Sequence, residues 1–453
     1  MKTYPKMKNS GIKWIGKIPE EWDVKRLKFT TSFDLSTVDR HEYDDEIQVS
    51  ICHYPQVYNN EIISSTTELS SGTCNTKELE KFRLKKDDVL ITKDSETPDD
   101  IGVPVYIQDD FKDVVSGYHI AHLTSDKRQI LGIFLFRFLQ SDISNAYFET
   151  EANGVTRYGL GKDSISNLKL VLPTILEQKS MSEYLNTVDF KISEEITKNQ
   201  KLVELLKEKR QSTINQAVTK GLDLTVPMKD SGIESIGKIP ENWHIIQLKE
   251  LIKHRGLVRG PFGSSLKIDS FVEKGFKVYE QKNAIYQNLD LGNSYVDEDK
   301  FSEMSRFSIQ TDDFLMSCSG TIGKLVYVPE KHEEGIINQA LLIIRYSFEK
   351  MDLGFITHFM NSFVFQSAII DNSQGGVMKN LVGLDIFKKI GIVIPDSKST
   401  QKQIATFLNL QTSKIDSLIL KTESQIEKLQ EFHQSLISSA VTGKIDVRQE
   451  IVA

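Results

Sequence analysis

Cysteine is almost missing: Cys52, Cys74 and Cys318 are the only three in 453 residues. An odd number without C-x-x-C spacing supports neither a disulfide framework nor a zinc knuckle, so reduced, partly buried thiols are expected. No two of the 11 prolines are adjacent, which removes the N/D-P-P-Y/F loop that an adenine methyltransferase needs to clamp a flipped base. Gly-Lys occurs at Gly16, Gly161, Gly237, Gly323 and Gly443, always followed by Ile, Asp or Leu. A phosphate-cradling P-loop requires Ser or Thr there. The nine histidines form no H-E-x-x-H pair, so no metal site is expected. No run approaches the roughly 18 apolar residues that span a bilayer, and MKTYPKMKNS lacks the apolar core of a secretion signal. The expectations are no membrane partner and a cytoplasmic location. Positive charge is not in excess either, because the net charge is -7. Binding to phosphates draws on Lys and Arg that displace counterions, so any DNA affinity must come from local patches or from partners.

What is present is a duplication. SGIKWIGKIPEEWDVKRLK at Ser10 to Lys28 recurs as SGIESIGKIPENWHIIQLK at Ser231 to Lys249. Near the end of each half, Gly154-Val155 and Gly376-Val377 open a stretch that finishes on a short apolar strand and a proline, Pro173 or Pro395. Each proline is followed by a long pattern without internal Gly or Pro, in which Gln178-Lys179 matches Gln401-Lys402 and Ala217-Val218-Thr219 matches Ala440-Val441-Thr442. Apolar positions correspond as well: Ile192 with Ile415, Ile196 with Ile419, Val203 with Ile426, Leu206 with Leu429. Spacings of three and four predict helices with matching stripes. Two such helices can bury their stripes against each other, and a chain that returns to begin its second copy favours an antiparallel pair. Gly221 and Gly443 stand where a glycine can end each helix.

Between the opening motif and the helix each copy reads as a mixed domain. KDDVLIT at Lys86 to Thr92 parallels TDDFLMS at Thr311 to Ser317, and VPVYI at Val103 to Ile107 parallels KLVYV at Lys324 to Val328, each pair predicting a polar turn and strands. IFLFRFLQSDISNAYF and FITHFMNSFVFQSAII read as buried helices. The resulting fold class is α+β: two tandem mixed domains separated by two long helices forming an antiparallel coiled coil, related by a pseudo-twofold internal repeat. The expected divisions are a motif at 1–28, a domain at 29–172, a helix at 173–223, the second motif at 224–249, the second domain at 250–394, the second helix at 395–446 and a tail at 447–453.

The order of these parts, present twice, resembles the specificity subunits of type I restriction-modification systems across essentially the whole chain. GPFGSSLK and SCSGTIGKLVYV in the second half and ITKDSETPDDIGVPVYI in the first are similar to segments of their recognition domains. The resemblance implies two target-recognition domains, each reading one half of a bipartite asymmetric site in double-stranded DNA. It further implies two modification subunits that methylate adenine, and translocating restriction subunits. S-adenosylmethionine, ATP and Mg would be bound by those partners, and this chain would hold no cofactor and carry no chemistry.

Candidate DNA contacts follow from basic and polar residues beside glycines. In the second domain Lys253, Arg255, Arg259, Ser264, Ser265 and Lys267 surround Gly256, Gly260 and Gly263, predicting a basic, flexible loop able to follow phosphates or enter a groove. In the first domain Arg157, Tyr158 and Lys162 lie beside Gly154, Gly159 and Gly161, while Lys379 and Asn380 follow Gly375-Gly376. Lys93 and Lys324 follow the two matching turns. Pro98-Asp99 with Asp110-Phe111-Lys112 loosely imitates a nuclease metal site, but it has no equivalent in the second copy and reads more simply as a solvated acidic loop.

Overall fold

The computed structural model describes residues 2–262, 265–371, 381 and 383–448. The chain divides into two compact units, Met1–Gln200 with Glu423–Ala453, and Lys201–Thr422.

In the first unit the chain forms strands β1 (Thr31–Leu35), β2 (Ile47–Cys52), β3 (Val89–Thr92), β4 (Pro104–Ile107), β5 (Val114–Ser116) and β6 (Ile120–Ser125). One sheet has the order β1-β6-β3-β4, closed at the edge by the short strand Ile62–Ile63, and a second places β2 parallel to β5. Every residue of β3 and β4 is buried, as a strand covered on both faces requires. The polar turn expected before β3 is built on Asp87 at φ +74°. Asp tolerates that left-handed conformation better than most residues. Asp88 beside it is buried and accepts hydrogen bonds from the Lys85 N–H at 2.8 Å and the Thr124 hydroxyl at 2.8 Å, and it faces His122 Nε2 at 2.9 Å.

The apolar stretch after β6 is two helices, α1 (Gly132–Leu139) and α2 (Asp142–Glu151). They meet at buried Ser141, whose hydroxyl donates to the Phe138 carbonyl at 2.6 Å and accepts from the Ser144 N–H at 3.4 Å. A hydroxyl that satisfies the end of one helix and caps the next is what splits the run. Helix α3 (Ile175–Lys220) follows, 46 residues long.

The second unit repeats the frame with β7 (Ile252–Arg259), β8 (Phe276–Tyr279), β9 (Asp313–Ser317), β10 (Leu325–Tyr327), β11 (Gly335–Ile337) and β12 (Leu341–Tyr346). Its main sheet has the order β7-β12-β9-β10, and β8 runs parallel to β11. Asp312 at φ +70° takes the place of Asp87. Helices α4 (Leu353–Met360) and α5 (Phe363–Asp371) meet at buried Ser362, which donates to the Phe359 carbonyl at 2.6 Å. Helix α6 (Lys398–Val441) closes the fold with 44 residues.

The two long helices belong in part to each unit. In the first, Met181 and Leu185 of α3 and Leu436, Ile437, Ala440 and Val441 of α6 join one core with Trp22. In the second, Ile404 and Leu408 of α6 and Ile214, Ala217 and Val218 of α3 join another with Trp243. Val203 and Leu206 pack with Ile415 and Ile419, and Arg210 bonds Asp416 at 2.7 Å. Asp189 meets His433. These partners run in opposite order along the helices, which is antiparallel pairing. Ile192 is buried, whereas Ile196, Ile426 and Leu429 are half-buried. Gly221 and Gly443 end the helices at φ +77° and +69°, and a Cβ on them would come within 3.2 Å of the Trp243 ring and 2.3 Å of Pro19. Both the conformation and the space require glycine. No single helix among the described residues is long and apolar enough to cross a membrane.

Candidate nucleic-acid interface

Where β3 ends, the backbone N–H of Lys93 donates to the His119 carbonyl at 3.0 Å, and the Lys93 carbonyl accepts from the Leu160 N–H at 2.8 Å. Where β9 ends, the N–H of Cys318 donates to the Ala340 carbonyl at 2.8 Å and its carbonyl accepts from the Leu381 N–H at 2.9 Å. Both units therefore gather three distant segments at the same edge of the main sheet by the same backbone bonds. The strand ladder fixes the positions, and the side chains there are left to differ.

In the first unit this edge opens into a cleft of about 1120 Å³ lined by His53, Tyr54, Asp94, Tyr118, His119 and Arg157 among others. Asp94 is its organising group. Its carboxylate accepts from Lys93 Nζ at 2.8 Å and lies 2.6 Å from His119 Nδ1. Burial pushes the Asp94 carboxyl up, but the bonds from Lys93 and His119 outweigh it and hold the group below its ordinary value. His119 sits at φ +72°, a conformation that a non-glycine residue holds only when its surroundings fix it. Its ring meets Tyr118 edge-on with centroids 4.1 Å apart. Burial lowers the pKa of His53 across the cleft, helped by the charge of Arg40. The cleft thus offers carboxylate acceptors, imidazoles, an arginine and tyrosine rings, a mixed set suited to base edges.

The Lys93 ammonium, expected as a DNA contact, is bound to Asp94, 15% exposed, and lies 5.1 Å from the Tyr118 ring centroid, so it also fastens the cleft. Arg157 and Lys162 are exposed, Tyr158 is half-buried and pairs with Ser95 in a short ladder, and Lys162 opens the helix Lys162–Asn167.

Part of the basic loop expected in the second unit is a strand. Lys253, Arg255 and Arg259 stand on β7, which pairs with β12 through a bulge between Ile252 and Leu257. Arg255 lies at φ +56° inside it. A Cβ on Gly256 would come within 2.7 Å of the Arg345 carbonyl, so the glycine there permits a close strand approach and does not mark flexibility. All three basic side chains are exposed, as are Lys267 and Lys324. Ser265 is half-buried, its N–H bonded to the Phe262 carbonyl at 2.9 Å. Lys324 opens the approach to β10, its N–H bonded to the Ser317 hydroxyl at 3.0 Å. Ser264, Lys379 and Asn380 lie outside the described residues.

Of the residues that imitated a nuclease, Asp110 accepts from the Lys86 N–H at 3.1 Å, and Asp100, next to Asp99, accepts from the Tyr58 hydroxyl at 2.9 Å. Among the described residues no group of three His, Cys, Asp or Glu is placed to hold a metal ion. The three cysteines are free and buried. Sequence reasoning missed His119, Tyr54 and Tyr118, which carry no local signal, and the exposed Phe262.

The family described as Type I restriction modification DNA specificity domain matches residues 19–206 and again residues 240–428. Two similar proteins come from Methanocaldococcus jannaschii. The type I restriction enzyme MjaVIII specificity subunit is 22% identical over 95% of each chain, and a specificity subunit named for the enzyme MjaX is 23% identical over 96% of each. Among solved structures, a chain from work on complex assembly and conformational transition of the type I R-M system superposes with a TM-score of 0.66 at 13% identity, covering 94% of this chain and 99% of that one. The HsdS subunit from Thermoanaerobacter tengcongensis gives 0.51 at 12% identity, covering 94% and 98%. At such identities the two superpositions speak for the fold.

Proposed function

The chain belongs to the type I restriction modification DNA specificity family, and from that membership we propose that it reads a bipartite, asymmetric duplex target, with one unit per half-site. It docks two modification subunits that methylate adenine with S-adenosylmethionine, and restriction subunits that use ATP and Mg, and it performs no catalysis itself. The observation that carries this reading is the sheet edge built twice by identical backbone bonds and furnished differently: a mixed cleft around Asp94 in one unit, exposed Arg259 and Lys324 in the other. One frame with two faces is what two unlike half-sites demand, because base contacts specify locally while phosphate contacts position. The repeated opening motif and helix supply two similar surfaces for two copies of one modification partner.

Methylome sequencing tests it. In cells carrying the chain with its modification partner, exchanging Lys249 to Pro395 for the matching part of a related chain changes one half-site and leaves the other intact. A methylome in which both halves change refutes one-unit, one-half-site readout. Native mass spectrometry distinguishes two modification partners per chain from one, and methyl transfer by the purified chain alone would contradict the absence of catalysis.

A further inference from the structure

Phe262 is the most exposed aromatic side chain among the described residues, at 88%, and Ile268 six positions on is equally exposed. Burying either would stabilise a fold, so two on one short segment of a single unit are not explained by folding. Single exposed hydrophobics are ordinary. This pair differs in its backbone and in its neighbours.

The backbone that presents Phe262 is pinned. The Gly260 N–H donates to the Leu341 carbonyl at 2.9 Å, and a Cβ on Gly260 would come within 1.9 Å of the Asn338 carbonyl, so the segment leaves the sheet edge pressed against it. Pro261 is buried and has its φ fixed by its ring. The Phe262 carbonyl then accepts from the Ser265 N–H at 2.9 Å. A ring held outward on such a backbone loses little freedom when it meets a partner. The neighbours are cationic: Arg259 ends β7 just before the segment and Lys267 precedes Ile268, both exposed.

Resting on the DNA-reading function above, we propose that Phe262 is a wedge that inserts between base pairs at the half-site read by the second unit, with Ile268 alongside and Arg259 and Lys267 on the flanking phosphates. Apolar side chains inserted at a base step unstack it, and the cost of unstacking depends on the sequence of that step. Phe262 then determines specificity at a position where it makes no hydrogen bond. Another protein is a poorer occupant for this surface, because the two apolar side chains are framed by like charges that a phosphate backbone neutralises on both sides.

The test uses the full chain assembled with its modification subunits on a duplex bearing its methylome-defined target, with 2-aminopurine placed in turn at each position of that half-site. One position brightens on binding, and in Phe262→Ala the brightening is lost and affinity falls about tenfold or more. An abasic site at the same step restores binding by the variant to near that of the parent, since the step is already open, and Phe262→Leu keeps part of the effect. The adenine extruded for methylation brightens irrespective of residue 262 and serves as the internal control. The wedge is overturned if Phe262→Ala binds the intact duplex as the parent does, or if its defect persists unchanged on the opened duplex. It is equally overturned if replacing thymine by uracil reproduces the defect without any Phe262-dependent brightening, which marks a groove contact, or if the variant assembles with fewer modification subunits. Failure of the parent complex to bind its duplex would instead remove the DNA-reading function itself.

Discussion

Lys93 and Cys318 occupy one position in the two copies, each donating its backbone N–H to the start of the neighbouring strand and accepting from a leucine, Leu160 or Leu381. The side chains could hardly differ more. Lys93 turns to Asp94 at the cleft, whereas Cys318 is fully buried and burial pushes its thiol up to about 12. A repeated backbone carrying unrelated side chains is the structural form of a frame kept constant while its reading face changes.

The first prediction concerns thiol chemistry. Only thiolate is nucleophilic, and burial raises Cys52 to about 12 as it does Cys318, and raises Cys74 as well. Iodoacetamide at pH 8 should leave Cys52 and Cys318 unmodified in the folded chain and label all three cysteines in urea, as read by peptide mass spectrometry. Labelling of native Cys318 at the rate of a free cysteine would mean that the sheet edge opens.

Gln178 and Gln401 give the second. Each is buried at the start of a long helix. Gln178 accepts from the Leu131 N–H at 2.8 Å and donates to the Gln129 and Pro173 carbonyls, and Gln401 accepts from the Asp352 N–H at 2.7 Å and donates to the Lys350 and Pro395 carbonyls. Alanine at either leaves a part-buried N–H and two carbonyls without their partner, and a penalty of about 1–3 kcal/mol follows for the unit concerned. Hydrogen exchange should accelerate in α1 for Gln178→Ala and in α4 for Gln401→Ala, each leaving the other helix unchanged.

Asp94 gives the third. Its carboxyl is held below the ordinary 3.8. A depressed carboxyl contributes stability that is fully present above the unfolded value and is lost as pH falls through the folded one, so Asp94→Asn should flatten the loss of stability of the first unit below about pH 4. The same variant weakens the hold on Lys93 and His119. The methylome should then show relaxed recognition at the half-site of the first unit and an unchanged second half-site.

How much of this was written in the sequence follows from what each residue has to satisfy. The duplicated motif, the paired turns at Asp87 and Asp312 and the matching helices were legible because packing and positive φ constrain those positions alike in both copies. The cleft was not. His119 reaches Asp94 only through the strand order, from 25 residues away, and Lys93 looked like a partner of Lys324 when its structural counterpart is Cys318. The glycines of the second unit suggested a loop because close approach to the Arg345 carbonyl leaves no trace in the sequence. Phe262 escaped because a phenylalanine is by default a core residue.

The last prediction sets two aspartates of the long helices against each other. Asp189 of α3 meets Arg137 of α1 and His433 of α6, with side chains 12%, 4% and 20% exposed. Asp416 of α6 meets Arg210 of α3, with 46% and 36% exposed. Both look like helix-pairing ion pairs, but burial decides their worth. Removing one partner of a buried pair strands the other charge and costs about 3–5 kcal/mol, whereas an exposed pair contributes about 0–1 kcal/mol. Asp189→Thr should therefore strongly destabilise the first unit, read as faster hydrogen exchange in α1, while Asp416→Ala barely changes exchange in α4. The second copy shows how the penalty is avoided. At the place of Arg137 it has His358, which lies 2.8 Å from Asn409, and at the place of Asp189 it has Thr412, whose hydroxyl donates to the Leu408 carbonyl at 2.8 Å. Neither arrangement leaves a buried charge unpaired. Arg137→His combined with Asp189→Thr should recover most of what Asp189→Thr alone loses, because the stranded guanidinium is gone. If the double variant is as unstable as the sum of its parts, the cost lies in the packing around Asp189 and the buried charge is not its source.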